Sequence, residues 1–184
     1  MKTKFDIITS TCVPLPLENV DTDQIIPARF LKATTREEKF FGDNLFRDWR
    51  YHPDGSLNKD FVLNNPTYGG QILVAGKNFG SGSSREHAPI ALLNMGASAV
   101  IADSFARIFF RNSINLGLPL IVCKGISKEV EAGQELKLDI GAGTVTVVET
   151  GKVYPCDRLG DQAMKILEAG GIKPLMRKKM GKDA

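Results

Sequence analysis

The sequence predicts an α/β fold in which a parallel or mixed sheet is flanked by helices and extended by a β-hairpin. From Gln71 onward, short apolar runs alternate with stretches of helical periodicity, as in sheets whose strands are connected by packed helices. After Gly125 apolar and polar residues alternate on either side of a glycine-rich turn, which favours an antiparallel hairpin. No linker divides the chain, so one domain over residues 1–184 is expected.

Few regular elements are predicted in the first third of the chain. Residues 14–17 read Pro-Leu-Pro-Leu, and the segment 19–24 is rich in Asn and Asp, which favour turns. Thr34 and Thr35 each stand three residues before a glutamate, the spacing of a capping box at a helix start. The predicted elements are, in chain order, a strand-poor entry over 1–33 with a loop at 19–24, a helix from 34 to about 45 and a turn over 52–55.

The remaining two thirds supply the sheet and its helices. Helical spacing predicts that Phe105, Ile108, Phe109 and Leu116 face inward on one of these helices. The predicted elements are strands 72–75, 99–101 and 119–122, helices 84–95 and 104–116, hairpin strands 135–140 and 144–149, and a last helix over 158–169 that stops at two glycines.

Composition and charge exclude several function classes. The formal net charge is +3, too small and too evenly spread to indicate nucleic-acid binding. No apolar run reaches the roughly 18–20 residues that a membrane span needs, and polar residues interrupt the N-terminal region where a signal peptide would be apolar. The basic residues near the end are interpreted as a solvated tail: Arg177, Lys178, Lys179 and Lys182.

The three cysteines indicate a reducing compartment. Cys12, Cys123 and Cys156 lie far apart and form no Cys-x-x-Cys pair, so the sequence predicts neither a disulfide framework nor an iron–sulfur or zinc site in this chain. Each is interpreted as a small buried apolar residue. The cytoplasm is therefore the expected location.

The glycine-rich segment 76–87 is the candidate functional site. It connects a predicted strand to a helix start, where free N–H groups and the helix dipole favour an anion. Arg85 adds a planar cationic fork suited to a carboxylate, and Ser83 and Ser84 add hydroxyls beside it. The segment matches no phosphate-binding Walker loop, dinucleotide fingerprint or hydrolase nucleophile elbow. These residues predict a site for a small anion and do not by themselves name a reaction.

Structural interpretations of the same residues remain open at this point. Ser83 and Glu86 have the spacing of a capping box, so both could serve only to begin the helix. Arg85 could be a surface ion-pairing residue. Asp21 and Asp23 could be turn-forming residues only.

Four segments of the chain resemble the aconitase superfamily. Residues 78–88, Asn-Phe-Gly-Ser-Gly-Ser-Ser-Arg-Glu-His-Ala, are similar to the signature of the aconitase swivelling domain. Residues 19–27, Asn-Val-Asp-Thr-Asp-Gln-Ile-Ile-Pro, resemble a segment of the family's free-standing small subunits. Residues 41–50, followed by 61–64, resemble the small subunits of bacterial isopropylmalate isomerases, and residues 104–112 add a fourth match. Together the matches span roughly residues 12–119.

The resemblance implies a fold, a reaction and a partner. The fold would be an aconitase-type swivelling domain with a barrel-like β/β/α arrangement. The reaction would be that of 3-isopropylmalate dehydratase, a hydro-lyase of leucine biosynthesis that interconverts 2-isopropylmalate and 3-isopropylmalate through an alkene. The 4Fe–4S cluster would belong to a large partner subunit, and this chain would bind no cofactor.

The resemblance also suggests roles for single residues. The family's catalytic serine falls on Ser83, which would act as an alkoxide base. The substrate-binding positions fall on Ser84 and Arg85. Asp21, Thr22 and Asp23 are candidates for an active-site loop.

One departure bears on the substrate. Full-length aconitases carry a substrate-binding arginine just before their equivalent of residues 19–23, where this chain has the apolar stretch 14–17. An apolar stretch suits an isopropyl group better than a third carboxylate. Two alternatives stay open: a related small subunit acting on citramalate- or homoaconitate-type acids, and a stand-alone anion- or nucleotide-binding module.

Overall fold

The computed structural model describes residues 7–32, 39–64 and 71–181. The strands are β1 (Ile7–Leu15), β2 (Ile72–Ala75), β3 (Ala99–Ala102), β4 (Leu120–Val122), β5 (Glu135–Asp139), β6 (Thr144–Val147) and β7 (Lys152–Pro155). The helices are α1 (Thr22–Ile25), α2 (Phe40–Asp43), α3 (Arg47–Arg50), α4 (His87–Asn94), α5 (Arg107–Asn115), α6 (Asp161–Ala169) and α7 (Ile172–Lys179). No helix of these ranges is long and apolar enough to cross a membrane.

The seven strands form one mixed sheet in the order β4-β3-β2-β1-β5-β6-β7. Strands β1 to β4 run parallel, with Cys12 opposite Ile72 on the inner pair. Strands β5, β6 and β7 pair antiparallel, and β5 joins the sheet along the first half of β1. The predicted α/β class, the mixed sheet and the hairpin are confirmed, and β7 adds a strand that the sequence did not predict.

Strand β1 corrects the expectation of a strand-poor entry. It is nine residues long and lies at the centre of the sheet, between β2 and β5. The sequence did not predict β1 because it contains Pro14, and proline has no N–H to donate to a strand ladder. The Cys12 N–H points to the β5 side, where it donates to the carbonyl of Gln134. The nitrogen of Pro14, two residues on, faces the same side, but β5 pairs only with Ile7–Thr11, so the missing donor costs no ladder bond there.

The core fills both faces of the parallel strands. Residues Leu73, Ala75, Val100 and Ala102 pack with α4 and α5 on one face. The alternate residues of β2 and β3 pack on the other face against buried residues of β5 and β6, so the sheet curls towards its own hairpin. Burial on both faces explains why β2 and β3 are continuous apolar runs in the sequence.

Several helix boundaries differ from the predictions. Helix α4 begins at His87 rather than 84, and α5 begins at Arg107 rather than 104. Ile108 is 54% exposed, so its inward assignment was wrong, whereas Phe109 is 2% exposed. Helix α5 begins three residues later than predicted, so Phe105 lies before it. The helical periodicity therefore starts at Arg107 rather than at residue 104.

Short helices also replace predicted loops. Helix α1 (Thr22–Ile25) begins inside the predicted loop 19–24 and ends one residue beyond it. The predicted helix 34–45 begins within 33–38, outside the described residues, and the chain from residue 39 forms α2 and then turns before α3. The predicted turn at 52–55 is confirmed by a 2.9 Å hydrogen bond from the Gly55 N–H to the His52 carbonyl.

Three of the four basic residues of the predicted solvated tail are solvent-exposed as expected but belong to helix α7 rather than to an unstructured tail. Arg177, Lys178 and Lys179 form the last turn of α7, while Lys182 lies outside the described residues. The apolar side of this helix carries Leu175, which packs in a cluster with residues of α5 and α6. That packing makes the segment helical despite its charge.

Candidate active site

The glycine-rich turn lies at the carboxyl edge of the parallel strands. The turn follows β2, the segment 16–25 follows β1, and residues 103–106 follow β3. Loops at this edge of an open parallel sheet enclose the ligand sites of α/β proteins. The location therefore agrees with the candidate site predicted from the sequence.

Main-chain hydrogen bonds join the first two of these segments. The Gly80 N–H donates to the Val20 carbonyl at 2.7 Å, and the Thr22 N–H donates to the Ser81 carbonyl at 2.8 Å. Asp21 and Ser81 form an isolated parallel bridge. This pairing sets the segment 21–23 directly against residues 83–85, about sixty positions away in the sequence.

Two glycines allow the segments to approach. A Cβ on Gly76 would lie 2.5 Å from the carbonyl oxygen of Leu17. A larger residue at position 76 would therefore clash with the segment that follows β1. Gly80 has φ +86, a left-handed conformation that favours glycine, and a Cβ there would overlap the buried ring of Phe109.

Ser83 is exposed and is not a helix cap. The residue preceding α4 is Glu86, which makes no side-chain capping bond, so the capping-box interpretation of Ser83 and Glu86 is wrong. The Ser83 carbonyl accepts hydrogen bonds from the Arg85 N–H at 2.9 Å and from the Thr22 hydroxyl at 3.0 Å. The Ser83 Oγ lies 3.3 Å from Thr22 Oγ1 and is otherwise open to a ligand.

Arg85 is held rather than free on the surface. Its side chain is only 21% exposed, and its Nη1 donates to Asp23 Oδ1 at 2.9 Å and to the Ile26 carbonyl at 3.3 Å. In the described part of the chain Nε and Nη2 have no partner, so one edge of the guanidinium remains available for a carboxylate.

The acidic residues of the segment 21–23 have separate tasks. The Arg85 guanidinium and the Ala28 N–H hold the pKa of the Asp23 carboxyl below its usual value, so Asp23 is an anion that orients Arg85. Asp21 caps α1: its carboxylate accepts from the Gln24 N–H, and the Gln24 side chain accepts from the Asp21 N–H. The turn-forming interpretation therefore holds for Asp21, whereas Asp23 also belongs to the site.

The main chain of the turn adds donors. Within the described residues, the N–H groups of Gly82, Ser83 and Ser84 donate no hydrogen bond to the protein. They lie in the turn that precedes Arg85 and the start of α4. Free main-chain donors at the start of a helix can stabilise a carboxylate or a developing oxyanion.

Two further residues of the motif 78–88, Asn78 and His87, make structural contacts. Asn78 has φ +56; its N–H donates to Ser104 Oγ at 2.8 Å and its side chain donates to Asn19 at 3.0 Å. The ring of His87 packs against Phe41 at 4.9 Å, which supports a structural role for this histidine. No sequence pattern pairs these residues, since each contact joins different segments.

Metal-ligating side chains do not cluster within residues 7–32, 39–64 and 71–181. No group of three or more His, Cys, Asp or Glu there is placed to hold a metal ion. Cys12 and Cys123 are buried, as predicted, whereas Cys156 is half-buried, and all three are free thiols. The segment 41–50, which resembles family small subunits, packs internally through the stacked rings of Phe46 and Trp49, 5.5 Å apart.

Comparison with known proteins gives consistent relatives. The profile of the aconitase C-terminal domain matches residues 2–124. The 3-isopropylmalate dehydratase small subunit of Cytophaga hutchinsonii is 53% identical over 154 residues, covering 80% of this chain and 76% of that protein. The isopropylmalate/citramalate isomerase small subunit of Methanocaldococcus jannaschii is 48% identical over 165 residues, covering 90% and 91%.

A solved structure agrees with the fold. The crystal structure of 3-isopropylmalate dehydratase from Methanocaldococcus jannaschii superimposes with a TM-score of 0.78, at 33% sequence identity, over 95% of each chain. The likeness covers the curled mixed sheet and its flanking helices and confirms the fold that the resemblance implied.

Proposed function

Because the chain belongs to the family of 3-isopropylmalate dehydratase small subunits, within the aconitase C-terminal domain proteins, we propose that it forms the proton-transfer half of that hydro-lyase. The complete enzyme interconverts 2-isopropylmalate and 3-isopropylmalate in leucine biosynthesis. The observation that carries this proposal is the exposed Ser83 hydroxyl in a turn that also holds Arg85, whose guanidinium has an open edge, and three main-chain N–H groups without a partner among the described residues.

Ser83 is the proposed base. As an alkoxide it takes the proton from the carbon next to a substrate carboxylate while the hydroxyl leaves the adjacent carbon, and an alkene forms. Returning the proton to the carbon that lost the hydroxyl, and hydroxide to the carbon that lost the proton, gives the isomer. A serine hydroxyl is a weak acid, so its anion needs the positive environment that Arg85 and the turn's N–H groups provide.

Arg85 and Ser84 are the proposed substrate-binding residues. The free edge of Arg85 is suited to a carboxylate, and its bond to Asp23 keeps that edge in one orientation. Ser84 is exposed beside it and supplies a hydroxyl and an N–H. Both groups fix the substrate proton near Ser83, which is the positioning part of catalysis.

The proposed partner is a large subunit that carries a 4Fe–4S cluster. When bound there, the cluster supplies the Lewis acid that assists departure of the hydroxyl. The proposed contribution of this chain is the base and the binding of a substrate carboxylate. We also propose the cytoplasm as the location, because the three cysteines are free thiols. Co-purification with a larger chain that carries the cluster's absorption tests the partner.

Replacing Ser83 by alanine tests the base. Loss of a general base lowers turnover by about 10²–10⁴-fold, so the reconstituted Ser83→Ala complex should retain its fold and subunit association but little activity. Ser81→Ala is the matched control: Ser81 lies in the same turn, its side chain donates a 3.4 Å hydrogen bond to the Asn19 carbonyl, and its main-chain pairing with residues 21 and 22 does not depend on the side chain. Near-normal turnover of Ser83→Ala would show that the base is another group.

Citramalate is the second candidate substrate, because the Methanocaldococcus jannaschii relative is named an isopropylmalate/citramalate isomerase small subunit. Of the apolar stretch 14–17, Leu15 is buried and Leu17 is 45% exposed, so Leu17 is the leucine available to a substrate's apolar group. A panel of isopropylmalate, citramalate and homoaconitate with the reconstituted pair decides the preference. A clear preference for a tricarboxylic acid would reject isopropylmalate. Calorimetry with nucleotides tests the alternative of a stand-alone anion- or nucleotide-binding module. The absence of a heat of binding with any nucleotide would reject that alternative.

A further inference from the structure

We infer that Thr22 is a positioning residue for Ser83, and that its hydroxyl proton turns to the Ser83 oxygen when that oxygen becomes an anion. The inference deepens the proposed function and rests on it, since it gives the proposed base a fixed neighbour. Thr22 does not touch the substrate in this scheme and acts only through Ser83.

The Thr22 hydroxyl is a buried polar group at the edge of an exposed site. Thr22 is 2% exposed, whereas Ser83 beside it is exposed. A buried hydroxyl needs hydrogen-bond partners, and in the described part of the chain Thr22 Oγ1 finds them only on Ser83. Those partners are the carbonyl oxygen at 3.0 Å and Oγ at 3.3 Å.

The main chain holds Thr22 in place independently of that hydroxyl. Its N–H donates to the Ser81 carbonyl at 2.8 Å, and its carbonyl accepts from the Ile26 N–H at 2.9 Å. The reciprocal capping bonds of Asp21 and Gln24 fix the turn from which it projects. A threonine side chain also has few χ1 choices, because it is branched at Cβ. The hydroxyl oxygen is therefore at a set position before any substrate arrives.

The Thr22 hydroxyl has one hydrogen and two possible acceptors, the carbonyl oxygen and the Oγ of Ser83. With Ser83 neutral, the Thr22 proton bonds the Ser83 carbonyl, and the Ser83 hydroxyl donates to Thr22 Oγ1, which holds Ser83 in one rotamer. When the exposed Ser83 hydroxyl gives its proton to solvent, rotation about the Thr22 C–O bond directs the Thr22 hydrogen to the Ser83 anion. The Ser83 carbonyl keeps its bond from the Arg85 N–H at 2.9 Å. No proton leaves Thr22, and no heavy atom has to move.

The redirected bond is stronger than the one it replaces. Hydrogen bonds to an ionised oxygen are shorter and roughly twice as strong as neutral ones. The bond favours the ionised form of Ser83, so removing the Thr22 hydroxyl lowers the fraction of Ser83 present as the alkoxide base. Removing one preorganised donor from an anionic site lowers turnover about 10²–10³-fold in other enzymes. The effect should therefore appear in kcat and leave KM nearly unchanged, since substrate contacts are not altered.

Two substitutions in the small subunit of the reconstituted complex test this role. Thr22→Val keeps the shape and removes the hydroxyl, and we expect kcat to fall about 10²–10³-fold with KM within about threefold. Thr22→Ser restores the hydroxyl and should recover most of kcat. Unchanged kcat in Thr22→Val, or failure of Thr22→Ser to recover activity, would overturn the inference, as would a loss expressed mainly in KM.

A double substitution separates this inference from the proposed function. If Thr22 acts only through Ser83, adding Thr22→Val to Ser83→Ala should cause no further loss of kcat. A further loss of tenfold or more would overturn the positioning role. If Ser83→Ala itself keeps near-normal turnover, the proposed base fails. If Ser83→Ala is inactive while Thr22→Val is normal, only the present inference fails.

Discussion

Gly80→Ala should destabilise the protein more than an ordinary glycine replacement, because two separate costs meet at this position. Gly80 has φ +86, and its N–H donates to the Val20 carbonyl at 2.7 Å, so the conformation cannot change without breaking the pairing of the two site segments. An added Cβ would lie 2.6 Å from the Cβ of Phe109 and would overlap its ring. That ring is 2% exposed and packs edge-on against Phe79 at 5.5 Å, so it has no free space to enter.

The magnitude follows from the two costs. A left-handed conformation costs an L-residue about 1–2 kcal/mol, and forcing extra atoms into a packed core costs about 1–3 kcal/mol. Together they predict a loss of about 2–5 kcal/mol. A domain is stabilised by about 5–15 kcal/mol in total, so this is a large fraction.

Urea unfolding of the full chain measures the loss, and Gly96→Ala is the matched control. Gly96 has φ +99 and nothing within 4 Å of an added Cβ, so it reports the conformational cost alone. The difference between the two variants should be about 1–3 kcal/mol at equal m-value. Equal losses would refute the steric argument and show that the Phe109 ring moves aside freely.

Three further predictions concern the site and the core. Arg85→Lys keeps the charge but loses the planar fork, so KM should rise about tenfold or more, and unchanged kinetics would remove Arg85 from substrate binding. The pKa of the Asp23 carboxyl lies below its ordinary 3.8, so the pair with Arg85 stabilises the fold above that pH and the contribution disappears as pH falls through the lowered pKa. Asp23 is 62% exposed, so Asp23→Asn should cost less than about 1 kcal/mol near neutral pH, and melting curves of the two proteins should converge in acid. Burial raises the pKa of the Cys12 thiol to about 11, so thiol reagents near pH 8 should leave Cys12 unmodified until urea unfolds the chain, and labelling of the native protein at Cys12 would contradict this.

Local sequence patterns predicted the strands whose pattern of apolar residues directly reflects which of their faces are buried. Strands β2 and β3 are apolar throughout because both faces are covered, and the β5–β6 hairpin alternates because one face is buried. The patterns failed where tertiary contacts overrode them. Strand β1 tolerates its proline only because β5 ends before it, and α7 is helical because Leu175 packs against α5 and α6.

The sequence by itself determined the family and predicted Ser83 and Arg85 as site residues, because the motif that carries both is a run of consecutive residues. Only the tertiary structure decided that Thr22 touches Ser83 and that Asp23 holds Arg85. The residues of each pair are more than sixty positions apart, and they meet because β1 and β2 run parallel and end at the same edge of the sheet. Strand register, which depends on the packing of both faces at once, sets those distances.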